Sequence, residues 1–196
     1  MEPLTIIFIA IGLVAVWAVL TYNGFILLRN KLEEAWSDID VQLKRRFDLI
    51  PNLIETVKGY ASHEKETFEA VVKARAEATA INIDAAGVTP EIMMALQGAE
   101  AGLTGALSKL MAVAEQYPDL KANENFVELQ RELTDTENKI QASRRFYNGT
   151  VQNFNTKVES VPSNIIAGIF KFNMREFFNL EDAPEERENI KVDFNG

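Results

Sequence analysis

The feature that most constrains this chain is an uncharged apolar segment near its N-terminus. Residues 4–28 contain no Asp, Glu, Lys or Arg, and a helix rising about 1.5 Å per residue over that length spans the roughly 30 Å hydrocarbon core of a bilayer. A cleaved signal peptide is the alternative. However, residues 1–3 carry no basic side chain, the apolar run is long, and no small-x-small cleavage site follows it. We therefore predict a retained transmembrane anchor in residues 1–28.

The distribution of positive charge predicts which side of the membrane the rest of the chain occupies. All 20 Lys and Arg residues lie at or beyond Arg29, and Arg29 and Lys31 stand at the end of the apolar segment. Basic residues next to a transmembrane helix are retained on the cytoplasmic side. The sequence thus predicts a single-pass protein whose C-terminal part is cytoplasmic.

The rest of the chain has the pattern of an all-α protein. Strand-type alternation is scarce, and only 6 Pro and 10 Gly residues interrupt 196 residues. Apolar residues recur at steps of three and four along one helical stripe. Its members are Leu32, Trp36, Ile39, Leu43, Ile50, Leu53 and Val57. Because this stripe keeps its register across Pro51, we expect a kinked helix that reaches about Ala80, with a tight turn at Pro51 as the alternative.

Further helices follow after turn signals. Residues 81–90 read as a loop in which Thr89 caps a helix that starts at Pro90 and runs to Gln116. After Tyr117-Pro118-Asp119, a long helix begins at Asn123 or Asn125 and ends at Val161-Pro162. Ser163 can then cap a short apolar turn, residues 165–170, which either covers the end of the bundle or lies in the membrane interface.

Three blocks of sequence, and a short closing motif, resemble the LemA family. The blocks are WSDIDVQLKRRFDLIPNLIETVKGYASHE, YPDLKANENFVELQRELTDTENKIQASRRFYNGTVQNFN and VPSNIIAGIFKF, and the closing motif is KVDF. The resemblance covers residues 22–194. It implies a bacterial single-pass membrane protein with an up-and-down bundle, in a family that includes members associated with magnetosome membranes. It implies no catalytic reaction.

Together these features predict an anchor followed by an antiparallel bundle of three to four long helices in residues 29–172. Residues 173–196 are assigned to an acidic C-terminal tail, which we expect to be poorly ordered from Glu176 onward. Residues 79–95 depart from the family in composition, so we expect subfamily specificity there.

Arg46 is the residue that most suggests a site, because it interrupts the apolar stripe between Leu43 and Ile50. A charge at such a position needs a partner. We predict a buried polar cluster that sets the register of the helices, with a ligand-binding or peptide-binding pocket as the alternative. The other candidate members lie on the same helical line or on the facing line of the long third helix: Tyr60, Glu64, Arg145, Tyr147 and Asn148.

No residue pattern predicts a catalytic, cofactor or metal site. His63 is the only histidine and lacks the second ligand of an HExxH zinc helix. The acids of residues 38–48 lack the glycine and closing glutamate of a calcium loop. The chain has no cysteine, which excludes a thiolate nucleophile.

The sequence therefore favours a non-enzymatic protein that contacts the membrane and other proteins. A net charge of −9, with Lys44-Arg45-Arg46 as the largest basic cluster, opposes nucleic-acid binding. We expect a scaffold, adaptor or assembly factor at the bacterial membrane. The alternatives are a self-associating homo-oligomer that forms a membrane-bound cage or array, and a regulator of a membrane protease.

Overall fold

The computed structural model of the chain describes residues 2–81 and 88–178. Every regular element in this part of the chain is a helix, so the prediction of an all-α fold is confirmed. Four of the helices are long and two are short. They are α1 (Pro3–Lys58), α2 (Lys65–Ala80), α3 (Pro90–Ala114), α4 (Pro118–Lys121), α5 (Glu124–Glu159) and α6 (Ser163–Phe170).

Helix α1 continues through Pro51, as predicted, but it ends at Lys58 and does not reach Ala80. The amides of Tyr60 and Ala61 both bond to the carbonyl of Val57, which closes a turn. This turn returns the chain to the bundle and buries Ala61. The expected single helix is therefore two helices. The spacing of apolar residues did not reveal the turn, because the residues after the turn again point into the core.

The core is built around α1 and α5, which pack along each other in antiparallel directions. Phe25 contacts Phe154, whereas Trp36 contacts Tyr147, with ring centroids 6.0 and 5.6 Å apart. Rising numbers on α1 thus meet falling numbers on α5. Helices α2 and α3 form a second packed pair, and the apolar stripes of all four long helices contribute to one core.

Polar caps fix where two helices begin. The Thr89 hydroxyl accepts a hydrogen bond from the amide of Ile92 at 3.3 Å, and Pro90 is the first residue of α3, as predicted. Asn123 caps α5 by accepting from the amide of Phe126 at 3.0 Å, which decides between the two expected starting residues. Most of the predicted loop, residues 82–87, lies outside the described residues.

Ser163 does not cap α6 as expected, because it is already the first residue of that helix. Its hydroxyl instead lies 2.7 Å from the carbonyl of Lys157 and 2.9 Å from that of Ser160. It therefore serves the carbonyls left without partners at the end of α5.

The start of the expected C-terminal tail is packed against the bundle. Asn148 accepts from the amide of Phe178 and donates to the carbonyl of the same residue, and Asn155 does the same with Arg175. Phe178 is buried. The tail that was expected to be poorly ordered from Glu176 onward is thus held to the bundle at least as far as Phe178, because the Asn148 side chain pairs with the backbone of that residue. Residues 179–196 lie outside the described part of the chain.

The N-terminal part of α1 stands clear of the bundle. Every residue from Pro3 to Val16 is exposed. Within the described residues, α1 is the one helix that is long and apolar enough to cross a membrane. Contacts with the rest of the protein begin at Trp17.

Candidate functional site

Arg46 lies in the centre of the bundle and is 2% exposed. Its position follows from the helical repeat, since a residue three after Leu43 and four before Ile50 points the same way as both. The guanidinium group donates through Nη2 to the Glu100 carboxylate of α3. Through Nη1 it donates to Glu137 of α5 at 3.0 Å. One side chain therefore connects α1 to two other helices.

Glu100 is the shared acceptor at the centre of this site and is 3% exposed. Its Oε2 atom accepts from Arg46 and also from Nη2 of Arg144, on α5, at 3.3 Å. The Arg144 guanidinium carbon lies 4.4 Å from the centroid of the Phe178 ring. The packed C-terminal segment thus covers one side of the group through a cation–π contact.

We call Arg46, Glu100, Glu137 and Arg144 the ionic cluster. Two positive and two negative side chains balance within it, and Glu137 lies at its rim with 39% of its side chain exposed. Nε of Arg46 and Oε1 of Glu100 have no hydrogen-bond partner among the described residues. The cost of removing these charges from water therefore offsets much of their mutual attraction. The ionic cluster is expected to align three helices and to add little net stability.

The structure brings together only part of the predicted polar group. Arg46 is buried as expected, but Tyr60 is exposed and its hydroxyl accepts from Asn123 at 3.1 Å, well away from the ionic cluster. Arg145 is exposed and Glu64 is half-buried at the start of α2. No described hydrogen bond or ion pair joins these three residues to Arg46.

Tyr147 and Asn148 form a second site that holds the C-terminal segment. The Tyr147 hydroxyl donates to the carbonyl of Glu176 at 3.2 Å, and Asn148 pairs with the backbone of Phe178. Burial raises the pKa of Tyr147 to about 12. The phenol therefore stays neutral and able to donate over the whole physiological pH range.

Sequence analysis missed Glu100 and Arg144, although both carry the signal that identified Arg46. Glu100 lies four residues after Leu96 and three before Leu103, and Arg144 lies between Ile140 and Tyr147 in the same way. Three charges thus interrupt three apolar stripes at core positions. A charge within an apolar stripe is therefore the sequence signal shared by Arg46, Glu100 and Arg144.

A third polar contact fastens α2 to α1 at Pro51. Proline has no amide hydrogen, so the carbonyl of Phe47, four residues earlier, loses its partner within the helix. Nε of Arg75 on α2 donates to this carbonyl at 2.8 Å. The helix can pass through a proline here because a side chain replaces the missing donor.

The contacts at these sites join helices and the C-terminal segment to one another. The charged side chains of the ionic cluster are engaged with one another, and among residues 2–81 and 88–178 no group of three His, Asp or Glu side chains is placed to hold a metal ion. The arrangement can fix helix positions and connect them to the C-terminal segment.

Comparison with known proteins agrees with the resemblance found in the sequence. The model of the LemA family matches residues 35–194. The chain is 26% identical to magnetosome protein MamQ 2 of Paramagnetospirillum magneticum, over 84% of this chain and 66% of that protein. It is 25% identical to magnetosome protein MamQ of Magnetospirillum gryphiswaldense with the same coverage. Identity to protein LemA of Metamycoplasma hominis is 30%, over 71% of this chain and 60% of that protein. The chain thus spans slightly less than two thirds of the length of these relatives.

Proposed function

Because the chain belongs to the LemA family, we propose that it is a scaffold, adaptor or assembly factor that holds other proteins at the bacterial membrane. The observation that carries the proposal is the continuity of α1 from Pro3 to Lys58. Its 56 residues extend about 84 Å at 1.5 Å per residue. About 30 Å of that length suffices to cross a bilayer, which leaves a helical rod that joins the anchor to the bundle.

A continuous helix suits this role because it attaches the bundle to the membrane and also fixes the distance between them. A Gly-rich or Ser-rich linker would let a domain wander over the membrane surface. Here the bundle is built on the same helix as the anchor, and Arg46 of the ionic cluster joins that helix to Glu100 of α3 and to Glu137 of α5. Partners bound to the bundle would therefore be held at a set height.

The relatives support a membrane role. Two of them are named magnetosome proteins and a third is named LemA. The association of this chain with a bacterial membrane is proposed from its apolar segment and from what the resemblance to the LemA family implies. The proposal places the bundle in the cytoplasm, because Arg29 and Lys31 follow the apolar segment. In this proposal the chain itself is not an enzyme.

A groove at the far end of α1 offers a position for a partner. It has a volume of about 450 Å³ and is lined by Ile54, Phe68 and Val72, with Lys58 and Lys65 at its edges. Val72 is about half exposed. An apolar floor with charged edges resembles the general design of protein-binding surfaces, in which a hydrophobic centre is surrounded by a polar rim.

Photo-crosslinking in native membranes tests the proposal. A photoreactive amino acid replaces Val72 in the full-length protein, and the matched control replaces Val41, which is equally exposed on α1 but outside the groove. We expect defined products with other polypeptides at Val72 and fewer at Val41. Products that contain only this chain at both positions, or no products at all, would contradict the adaptor role.

A further inference from the structure

We propose that α6 is embedded in the membrane interface beside the anchor, with its exposed apolar side chains in contact with lipid. The inference rests on the membrane anchoring in the proposed function and adds a second lipid-binding element. Helix α6 has the sequence SNIIAGIF. Ile166 and Ala167 are buried against the bundle, whereas Ile165, Ile169 and Phe170 are each more than half exposed.

The position of α6 along α1 is set by aromatic contacts. The ring of Tyr22 lies 4.6 Å from that of Phe170 and 5.8 Å from that of Phe172. Phe25 stacks on Phe172 at 4.7 Å. Helix α6 therefore packs against the last part of the apolar segment of α1.

The length of bare helix requires this part of α1 to enter the membrane. The exposed stretch from Pro3 to Val16 extends only about 21 Å at 1.5 Å per residue, which is shorter than the roughly 30 Å hydrocarbon core. Counting from Leu4, Tyr22 lies about 27 Å along the helix. A bilayer that begins near Leu4 thus ends at about the level where Phe170 touches Tyr22.

The exposed face of α6 has no covering within the described chain. Leu20 and Leu27 of α1 are also well exposed at neighbouring depths, on the side of α1 away from α6, since they lie roughly 150° around the helix from Tyr22. Exposed apolar side chains therefore lie on both sides of the protein at this level. Lipid is the occupant that this arrangement favours, because α1 already presents apolar side chains to the bilayer at the same level.

Several polar groups at α6 have partners within the protein, which lowers the cost of placing them near lipid. The amide of Phe172 bonds to the carbonyl of Ala167 at 2.9 Å, and that of Asn164 to Ser160 at 2.8 Å. The Ser163 hydroxyl serves carbonyls at the end of α5. Lys171, directly after α6, is exposed and can extend its ammonium group to the phosphate headgroups.

The chain has no cysteine, so single cysteines can carry an environment-sensitive fluorophore without other changes. We would compare full-length Ile169→Cys with two reference variants in vesicles of phosphatidylcholine and phosphatidylglycerol. Val14→Cys reports the middle of the anchor and Val72→Cys reports the distal groove. Each sample is quenched in turn by aqueous iodide and by lipids that carry a nitroxide near the headgroup. Ile165→Cys provides a second probe of α6, and circular dichroism checks that each variant is folded.

We expect the label at Ile169 to be several-fold less sensitive to iodide than the label at Val72, and to be quenched by the nitroxide lipid. Sensitivity to iodide equal to that at Val72, with Val14 still in lipid, would overturn the inference and leave anchoring intact. Protection from both quenchers would mean that protein covers α6, which would also overturn it. An iodide-sensitive label at Val14 would contradict anchoring itself, and the inference would fail with it.

Discussion

At the scale of single residues, Glu100 is the central member of the ionic cluster. It is the one carboxylate of the ionic cluster that is fully buried, and both arginines of the cluster donate to it. Removing one partner from a buried ion pair leaves an uncompensated charge, which costs more than the intact pair contributes. Glu100 therefore balances charge on both Arg46 and Arg144.

We predict that Glu100→Gln destabilises the folded protein by about 3–5 kcal/mol, because two buried guanidinium groups lose their shared charge partner. Chemical unfolding of the full-length protein in detergent, followed by circular dichroism, measures this loss. Glu137→Gln is the matched control, and its side chain is partly exposed, so it should cost no more than about 1 kcal/mol. Equal losses of stability for the two substitutions would show that burial of the carboxylate does not determine how much each one contributes.

Tyr147 predicts how stability responds to alkaline pH. Burial raises its pKa to about 12 in the folded protein, compared with about 10 in an unfolded chain. The folded state therefore holds the phenol proton more tightly than the unfolded state does. The contribution of this difference to the free energy of unfolding is complete below pH 10 and is lost as the pH rises toward 12. It amounts to roughly 2–3 kcal/mol.

Tyr147→Phe removes the titrating group, so the variant should lose less stability than the parent protein between about pH 10 and 12. Unfolding free energies measured at several pH values for both proteins give the comparison. Parallel pH profiles for the two proteins would rule out a buried, neutral phenol at this position.

Only some residues of the ionic cluster could be predicted from the sequence. Arg46 could be identified because a charge within an apolar stripe is visible in a single helix. Glu100 and Arg144 carry the same local signal, but their pairing with Arg46 could not be predicted, because Glu100 lies 54 residues away and no local period specifies which helix faces which. The predicted partners Tyr60 and Glu64 were chosen along a helix that in fact turns at Gly59, so they could not lie on the assumed line.

At the scale of secondary-structure elements, Pro51 and Arg75 act together. The proline leaves the Phe47 carbonyl without its helical donor, and Arg75 supplies one from α2. We predict that Arg75→Met costs about 1–3 kcal/mol of stability through the unsatisfied carbonyl. In a Pro51→Ala background the helix regains its own amide donor, so the cost of Arg75→Met should fall.

A double-mutant cycle in the full-length protein measures this coupling, which we expect to be about 1 kcal/mol. Independent, additive effects of the two substitutions would mean that Arg75 stabilises α2 by another route.

The helices were largely predictable from the sequence, since apolar repeats and caps such as Thr89 are local signals. The packing of the C-terminal segment was not predictable in this way. Its acidic composition suggested a poorly ordered tail, whereas Asn148 binds the backbone of Phe178 and Asn155 binds the backbone of Arg175. Hydrogen bonds to a backbone do not depend on the residue types they hold, so the composition of that segment gives no sign of them.

At the scale of the whole molecule, α1 is a continuous helical rod that is proposed both to anchor the protein and to support the bundle. In the proposed role, one end of α1 would enter the bilayer while the other is part of the bundle, so the distance between the membrane and a partner would be fixed without a flexible joint. The proposed interfacial contact of α6 would add a second point of attachment. Two attachments restrict tilting of the rod, which would keep the groove near Val72 at a defined height.

The central claim is that this rod holds other proteins at the membrane. Native electrophoresis of the full-length protein, gently extracted from its own membrane and followed by mass spectrometry of each band, tests it most directly. The account predicts a complex that contains this chain together with defined companion proteins. A lone monomer, or a large assembly composed of this chain alone, would contradict it.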